Sequence, residues 1–330
     1  MFCGDGAKRR STSTIGGQRY AFDHVGWSSR YEAAVNGPNG NASPTRYNDP
    51  VSAEAPSHTP VLVIRPSLGW RALDLREVWT YRELLGIFVW RDLKVRYRQT
   101  ILGALWIVGQ PLISMIIFTL LFNRVAHFQA EGGAPYPVFV LSGLLVWNLV
   151  SNSINRAGNS LIGSSFLISK VYFPRLIIPL SNVLTEIVDF GVAALLLVAM
   201  MVWYRTLPGI TILLLPVAVL IACMMALGVG LWIAALNVEY RDIRVAVPFV
   251  LQLGMYVTPI VYPLTAIPER YRWLAALNPM TGIAQTFRAS LLRLPVPTTA
   301  LAWSAAAAIL LLVSGGYYFR RMERRFADIL

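Results

Sequence analysis

Between Gly103 and Phe122 the chain runs for 20 residues without a charged side chain, directly after the strongly basic segment Arg91–Arg98. A run of that length matches the ~20 residues a helix needs to cross ~30 Å of hydrocarbon. Cations at its start predict that this end faces the cytoplasm. No soluble fold has a place for such a run followed by others like it, so the chain reads as an integral membrane protein.

Composition agrees. Apolar residues make up 55% of the chain, charged residues only 14%, and the mean hydropathy is +0.53. The net charge of +12 would suit a nucleic-acid partner. However, the cations border apolar spans and do not pattern one soluble face, so they read as membrane-orienting and no nucleic acid is expected. The expected fold is all-α: six transmembrane helices, roughly Gly103–Phe122, Tyr136–Ser153, Phe173–Trp203, Leu207–Ala235, Val245–Val261 and Thr298–Phe319. Pro111 lies inside the first, where neighbouring helices tolerate a kink. The fifth is short and broken by Pro259 and Pro263. With the first basic segment inside, 17 Lys and Arg fall on the cytoplasmic side of the spans and 6 outside, which predicts that both termini are cytoplasmic.

Three regions follow from this reading: a tail over 1–64, an amphipathic interfacial segment over 65–100, and the membrane domain over 101–330. The tail is rich in Ser, Thr, Asn, Gly and Pro and predicts disorder. Its basic start (Lys8, Arg9, Arg10) precedes no apolar stretch, so it is not a signal peptide. In the interfacial segment Trp70, Trp79 and Trp90 stand among arginines, as suits the headgroup region. Arg91, Lys94 and Arg98 share one stripe; Leu85, Val89, Leu93 and Tyr97 share another, interrupted by Asp92 and Arg96. A helix lying in the interface is expected.

The chemistry-bearing motifs are few. There is no GxxxxGK[ST], GxSxG, HExxH or EF-hand loop, so no catalytic residues are assigned and uphill movement needs energy from elsewhere. The three histidines and two cysteines lie in no ligand spacing, and no metal site is expected. Glu186 and Asp189 sit three residues apart in the third span. Intramembrane carboxylates suggest a proton or ion relay; the competing reading bonds them to Ser, Thr or an arginine of a neighbouring helix. The loop 159–175 is short and partly apolar, as suits docking into a partner's groove or lying flat on the bilayer. The segment 264–297 is too polar to span and too apolar for an exposed loop. Two amphipathic pieces, about Glu269–Ala276 and Thr281–Leu292, flank Asn278-Pro279 and read as a re-entrant or interfacial pair on the outer side. Most span-end aromatics suit the interface belt, but Tyr256 and Tyr262, beside Pro259, are candidates to line a sugar pathway.

Six ordered blocks, RDLKVRYRQTILGALWIVGQPL, SKVYFPR, NVEYRDI, YVTPIVYP, LNPMTGIAQTFR and the terminal FRRMERRFADIL, closely resemble the permease subunit of polysaccharide ABC exporters over residues 75–330. The resemblance implies a homodimer with two copies of a separate ABC ATPase. ATP and Mg would then be held by that partner, and this chain would bind no cofactor. It also implies a polyprenyl-diphosphate-linked polysaccharide as cargo (O-antigen, teichoic acid or a galactan precursor) and a place in the bacterial cytoplasmic membrane among its lipids. By the same resemblance Arg91, Lys94, Arg96 and Arg98, with Leu102 and Gly103, form the entrance for the diphosphate headgroup. The 159–175 loop becomes a coupling helix on the ATPase, with Ser164, Phe166, Leu167, Lys170 and Tyr172 as its contacts. The 264–297 pair becomes a gate, and Tyr256, Pro259, Tyr262, Arg270, Asn278, Pro279 and Arg288 are channel or gate candidates. Rival readings are a related permease for another lipid or drug, an ion-coupled transporter using Glu186 and Asp189, and a membrane glycan-modifying enzyme; an inverted repeat for the second and an outer-face acid–histidine or metal site for the third are not visible.

Overall fold

A computed structural model of the chain describes residues 12–15, 18–21, 75–98, 103–170 and 173–329, in two units, Met1–Pro66 and Ser67–Leu330. In the first unit β1 (Thr12–Ile15) and β2 (Gln18–Ala21) pair antiparallel, Thr12 opposite Ala21 and Ile15 opposite Gln18. Both strands lie within the segment 1–64.

The second unit is helical. α1 (Leu75–Thr80) and α2 (Arg82–Arg98) lead into α3 (Gly103–Phe118), whose last turns widen into a π-helical stretch, Thr119–Val125. Then come α4 (Tyr136–Gly163), α5 (Ser165–Lys170), α6 (Ile177–Trp203), α7 (Leu215–Glu239), α8 (Ile243–Val257), α9 (Arg272–Leu277), α10 (Pro279–Leu292) and α11 (Thr298–Ile329). Many large apolar side chains point outward: Ile210 is 85% exposed and Leu195 68%. In water such a surface would aggregate; in lipid it is an ordinary solvent face.

The expected six spans are not all matched. Five helices are long and apolar enough to cross a bilayer: Leu105–Val125, Tyr136–Gly163, Ile177–Trp203, Ile210–Glu239 and Thr298–Glu323. In place of the expected fifth span, Val245–Val261, stands the 15-residue α8. At 1.5 Å per residue it reaches about 22 Å, short of the ~30 Å core. It stops because Pro259 forces Thr258 out of the helical region, and Thr258 is extended (φ −85°, ψ 138°).

The non-helical backbone after α8 is satisfied from within the protein. Arg288 of α10, 1% exposed, donates Nη1 to the Pro259 carbonyl at 2.8 Å and Nη2 to that of Ile260, with its guanidinium 3.7 Å over the Phe139 ring. Tyr136 Oη donates to the Val261 carbonyl at 2.8 Å, and Leu264 N to Glu131 at 2.8 Å. Asn278 donates to Thr258 Oγ1 at 2.8 Å while its Oδ1 accepts from Met280 N at 3.0 Å, capping α10. Gly143 is required beside this knot, since a Cβ there would lie 2.5 Å from Arg288 and 2.6 Å from the Ile260 carbonyl. Arg288, which the sequence reading counts on the outer side of the spans, is thus buried against backbone carbonyls.

α7 is sandwiched between α4 and α11. A Cβ on Gly228 would lie 2.5 Å from the backbone of Leu311 and Leu312, and one on Gly315 would strike the Gly228 carbonyl. Small residues of this kind let helix backbones approach closely in membranes. Trp232 fastens the crossing, donating to Ser314 at 3.1 Å and stacking on Tyr318 at 4.4 Å. Gly228→Val should lower stability by about 3 kcal/mol. Gly191→Ala, where nothing lies within 4 Å, should leave it unchanged or raise it by up to about 1 kcal/mol. Unfolding in nanodiscs measures both.

Candidate functional site

The cluster that draws the most polar chemistry together lies where α2, α4 and α6 meet. Glu186 and Asp189, on one face of α6, are both buried. Arg96 of α2 pairs with Glu186 at 2.9 Å and also with Asp189. Arg156 of α4 donates its Nε to Glu186 at 2.6 Å. Tyr97 Oη donates to Asp189 at 2.7 Å. Burial pushes the Tyr97 phenol above its usual pKa against the opposing pull of Arg96, so it serves as a donor. Of the two readings of these carboxylates, the geometry is that of arginine pairing across helices.

Arg96 also explains the flaw in α2's apolar stripe. It stands on the side facing α6 because it reaches the carboxylates, with Phe88 on the same helix meeting Phe173 edge-on at 5.6 Å. Beside the cluster lies a cavity of about 540 Å³, lined in part by Arg96, Arg156, Glu186 and Asp189 together with Trp106 and Gln110 of α3.

The sequence-expected residues divide into separate places. Of the four entrance cations, Arg96 is engaged as described and Arg91 pairs with Asp92 at 2.8 Å, its guanidinium 4.8 Å over Phe88. Lys94 and Arg98 are exposed, and Gly103 begins α3. Leu102 and Tyr172 lie outside the described residues. In the 159–175 loop Ser164 closes α4, its carbonyl accepting from Leu167 and Ile168. Ile168 is buried and Leu167 half-buried, whereas Phe166 is 70% exposed with Lys170 4.2 Å over its ring. On the far side Tyr256 is exposed, Pro259 buried, and Tyr262 donates to the Tyr256 carbonyl at 3.0 Å. Arg270 covers the Tyr271 ring at 4.6 Å, Asn278-Pro279 begins α10, and Arg288 is the buried cation already described.

Sequence reasoning left out Arg156, Tyr97, Gln110, Asn148 and Asn152. The spacing of Asn148, Asn152 and Arg156 at every fourth residue of the second span was the available signal. Arg96 and Tyr97, the partners that α2 supplies to Glu186 and Asp189, are about ninety positions away, and nothing in the sequence pairs them with those carboxylates.

Comparison with known proteins places this geometry. Residues 83–292 match the family described as ABC-2 type transporter. An O-antigen export system permease protein of Myxococcus xanthus is 32% identical over 245 residues, covering 70% of this chain and 93% of that protein. One from Klebsiella pneumoniae is 30% identical over 249 residues, covering 75% and 95%. A polysialic acid transport protein of Escherichia coli is 22% identical over 206 residues, covering 61% and 78%.

Removing one member of a buried pair leaves the other charge uncompensated. Arg96→Met should lower stability by about 3 kcal/mol and loosen α2 from α6. Combining it with Glu186→Gln and Asp189→Asn should recover most of the loss. Unfolding of the wild type and the two variants in nanodiscs checks this; equal losses in the single and triple variants would refute a charge-based clasp.

Proposed function

Because this chain belongs to the ABC-2 type transporter family and is a multi-pass membrane permease, we propose that it is the membrane subunit of an ATP-driven polysaccharide exporter. Its cargo is a polyprenyl-diphosphate-linked glycan, O-antigen or a related polymer. The observation that carries the reading is the 32% identity extending over 93% of an O-antigen export permease. The polysialic acid relative supports polysaccharide as the class.

In this reading two copies enclose the channel at their interface in the cytoplasmic membrane, and two copies of a separate ATPase supply the energy. α5 is the coupling helix: Ile168 and Leu167 hold it to the core while Phe166 and Lys170 project toward the partner. The extended stretch after α8 completes a sixth crossing, since its carbonyls are satisfied by Arg288 and Tyr136 without water. Both termini are then cytoplasmic, and α9 with α10 form the outer gate. Lys94 and Arg98, two of the exposed cations of α2, draw the diphosphate to the entrance.

An ion relay at Glu186 and Asp189 is disfavoured, because both carboxylates are held by arginines. The test is reconstitution with an ABC ATPase in proteoliposomes loaded with lipid-linked glycan. Glycan should cross only with ATP hydrolysis, and Phe166→Glu should cut hydrolysis-coupled transport at least tenfold while the permease stays folded. Transport that persists without ATP and collapses with an ion gradient would overturn the proposal.

A further inference from the structure

Along α4, Asn148, Asn152 and Arg156 recur every fourth residue and so share one face. Opposite them α3 presents Trp106 and Gln110, and all five line the cavity of about 540 Å³. Among the described residues no side-chain hydrogen bond satisfies the carboxamides of Gln110, Asn148 or Asn152. Arg156 gives its Nε to Glu186, and among the described residues its two terminal nitrogens make no hydrogen bond. Leu145 and Leu149 form the adjoining apolar wall.

Gln110 and Asn152 are exposed and Asn148 half-buried, so these carboxamides open into the cavity and are available to a polar group that enters it. Three of them, beside a guanidinium fork and an indole, define what would fit. The fork takes a phosphate through two parallel hydrogen bonds. Carboxamides both donate to and accept from sugar hydroxyls. The indole offers an apolar face to the CH side of a pyranose. The volume lies in the range of small-ligand sites, ~300–1,000 Å³, so it holds a headgroup and not a polymer.

We propose that this cavity binds the phosphate-linked first sugar of the lipid-borne glycan, with phosphate on Arg156 and sugar hydroxyls on Gln110, Asn148 and Asn152. The assignment rests on the export reading above and adds a place where the headgroup is held before the polymer is threaded.

The test uses the full chain in nanodiscs with farnesyl-diphosphate-N-acetylglucosamine as the lipid-borne probe and N-acetylglucosamine 1-phosphate as the soluble one, binding being counted by native mass spectrometry. The wild-type chain should bind the lipid-borne probe. Asn148→Leu/Asn152→Leu should bind it at least tenfold more weakly with an unchanged unfolding midpoint, because these carboxamides hold no part of the fold together. Arg156→Lys, which keeps the charge beside Glu186 and loses the fork, should weaken it similarly. Undiminished binding in the double variant overturns the proposal, as does loss of stability without loss of binding. Equal affinity for the soluble probe overturns the lipid-borne assignment. ATP-dependent glycan export, measured in parallel, separates the two readings: a wild-type chain that exports glycan but does not bind the probe overturns the site alone, and one that does neither overturns both.

Discussion

A polar group out of reach of water must find its partner inside the protein, and this constraint shapes the unit from α2 to α11. An unpaired charge at such depth costs several kcal/mol or more. The chain meets that demand at two places along α4. Near its start, Arg288 closes the carbonyls that α8 leaves open. Toward its end, Arg96 and Arg156 neutralise the carboxylates of α6. Between the two, α4 is buried on most sides and carries both clusters on one rigid element.

The two clusters differ in what they hold. Arg288 stabilises backbone that has left the helix, which lets a short helix be followed by irregular chain within an apolar setting. Arg96 stabilises the attachment of a whole helix, α2, which carries the exposed Trp90. The first is fully enclosed, while the second borders a cavity, with the Arg156 side chain 45% exposed. Enclosure suits a fixed joint; a partly open ion cluster is accessible to something entering from outside.

Much of this was legible in the sequence, for clear physical reasons. Long apolar runs with few or no charges have few alternatives to a membrane helix, so the first four spans and the last are readable from composition, the third despite Glu186 and Asp189. Asn278-Pro279 marks the start of α10 because Asn caps and Pro fits the first turn. The prolines after α8 marked its end and its shortness, but not how the backbone beyond it is satisfied, which depends on Arg288 of another element. Arg288 itself looked like a loop cation because a buried arginine and an exposed one read alike until the accepting carbonyls are known. Arg96 appeared as a defect in an amphipathic stripe, and only its partners on α6 turn the defect into an attachment. The Asn148–Asn152–Arg156 stripe was visible by period and hidden by its apolar surroundings.

α11 is a single proline-free rod of 32 residues, ~48 Å long at 1.5 Å per residue. At its start Trp303 donates to the Leu277 carbonyl and Ser304 to that of Pro279, gripping the turn between α9 and α10. Near its far end Phe326 packs against Phe319, and Arg175, just after the 159–175 loop's apolar stretch, donates to the Glu323 carbonyl. One stiff lever therefore touches both faces of the protein, and a tilt imposed at either end arrives at the other with no hinge between to absorb it.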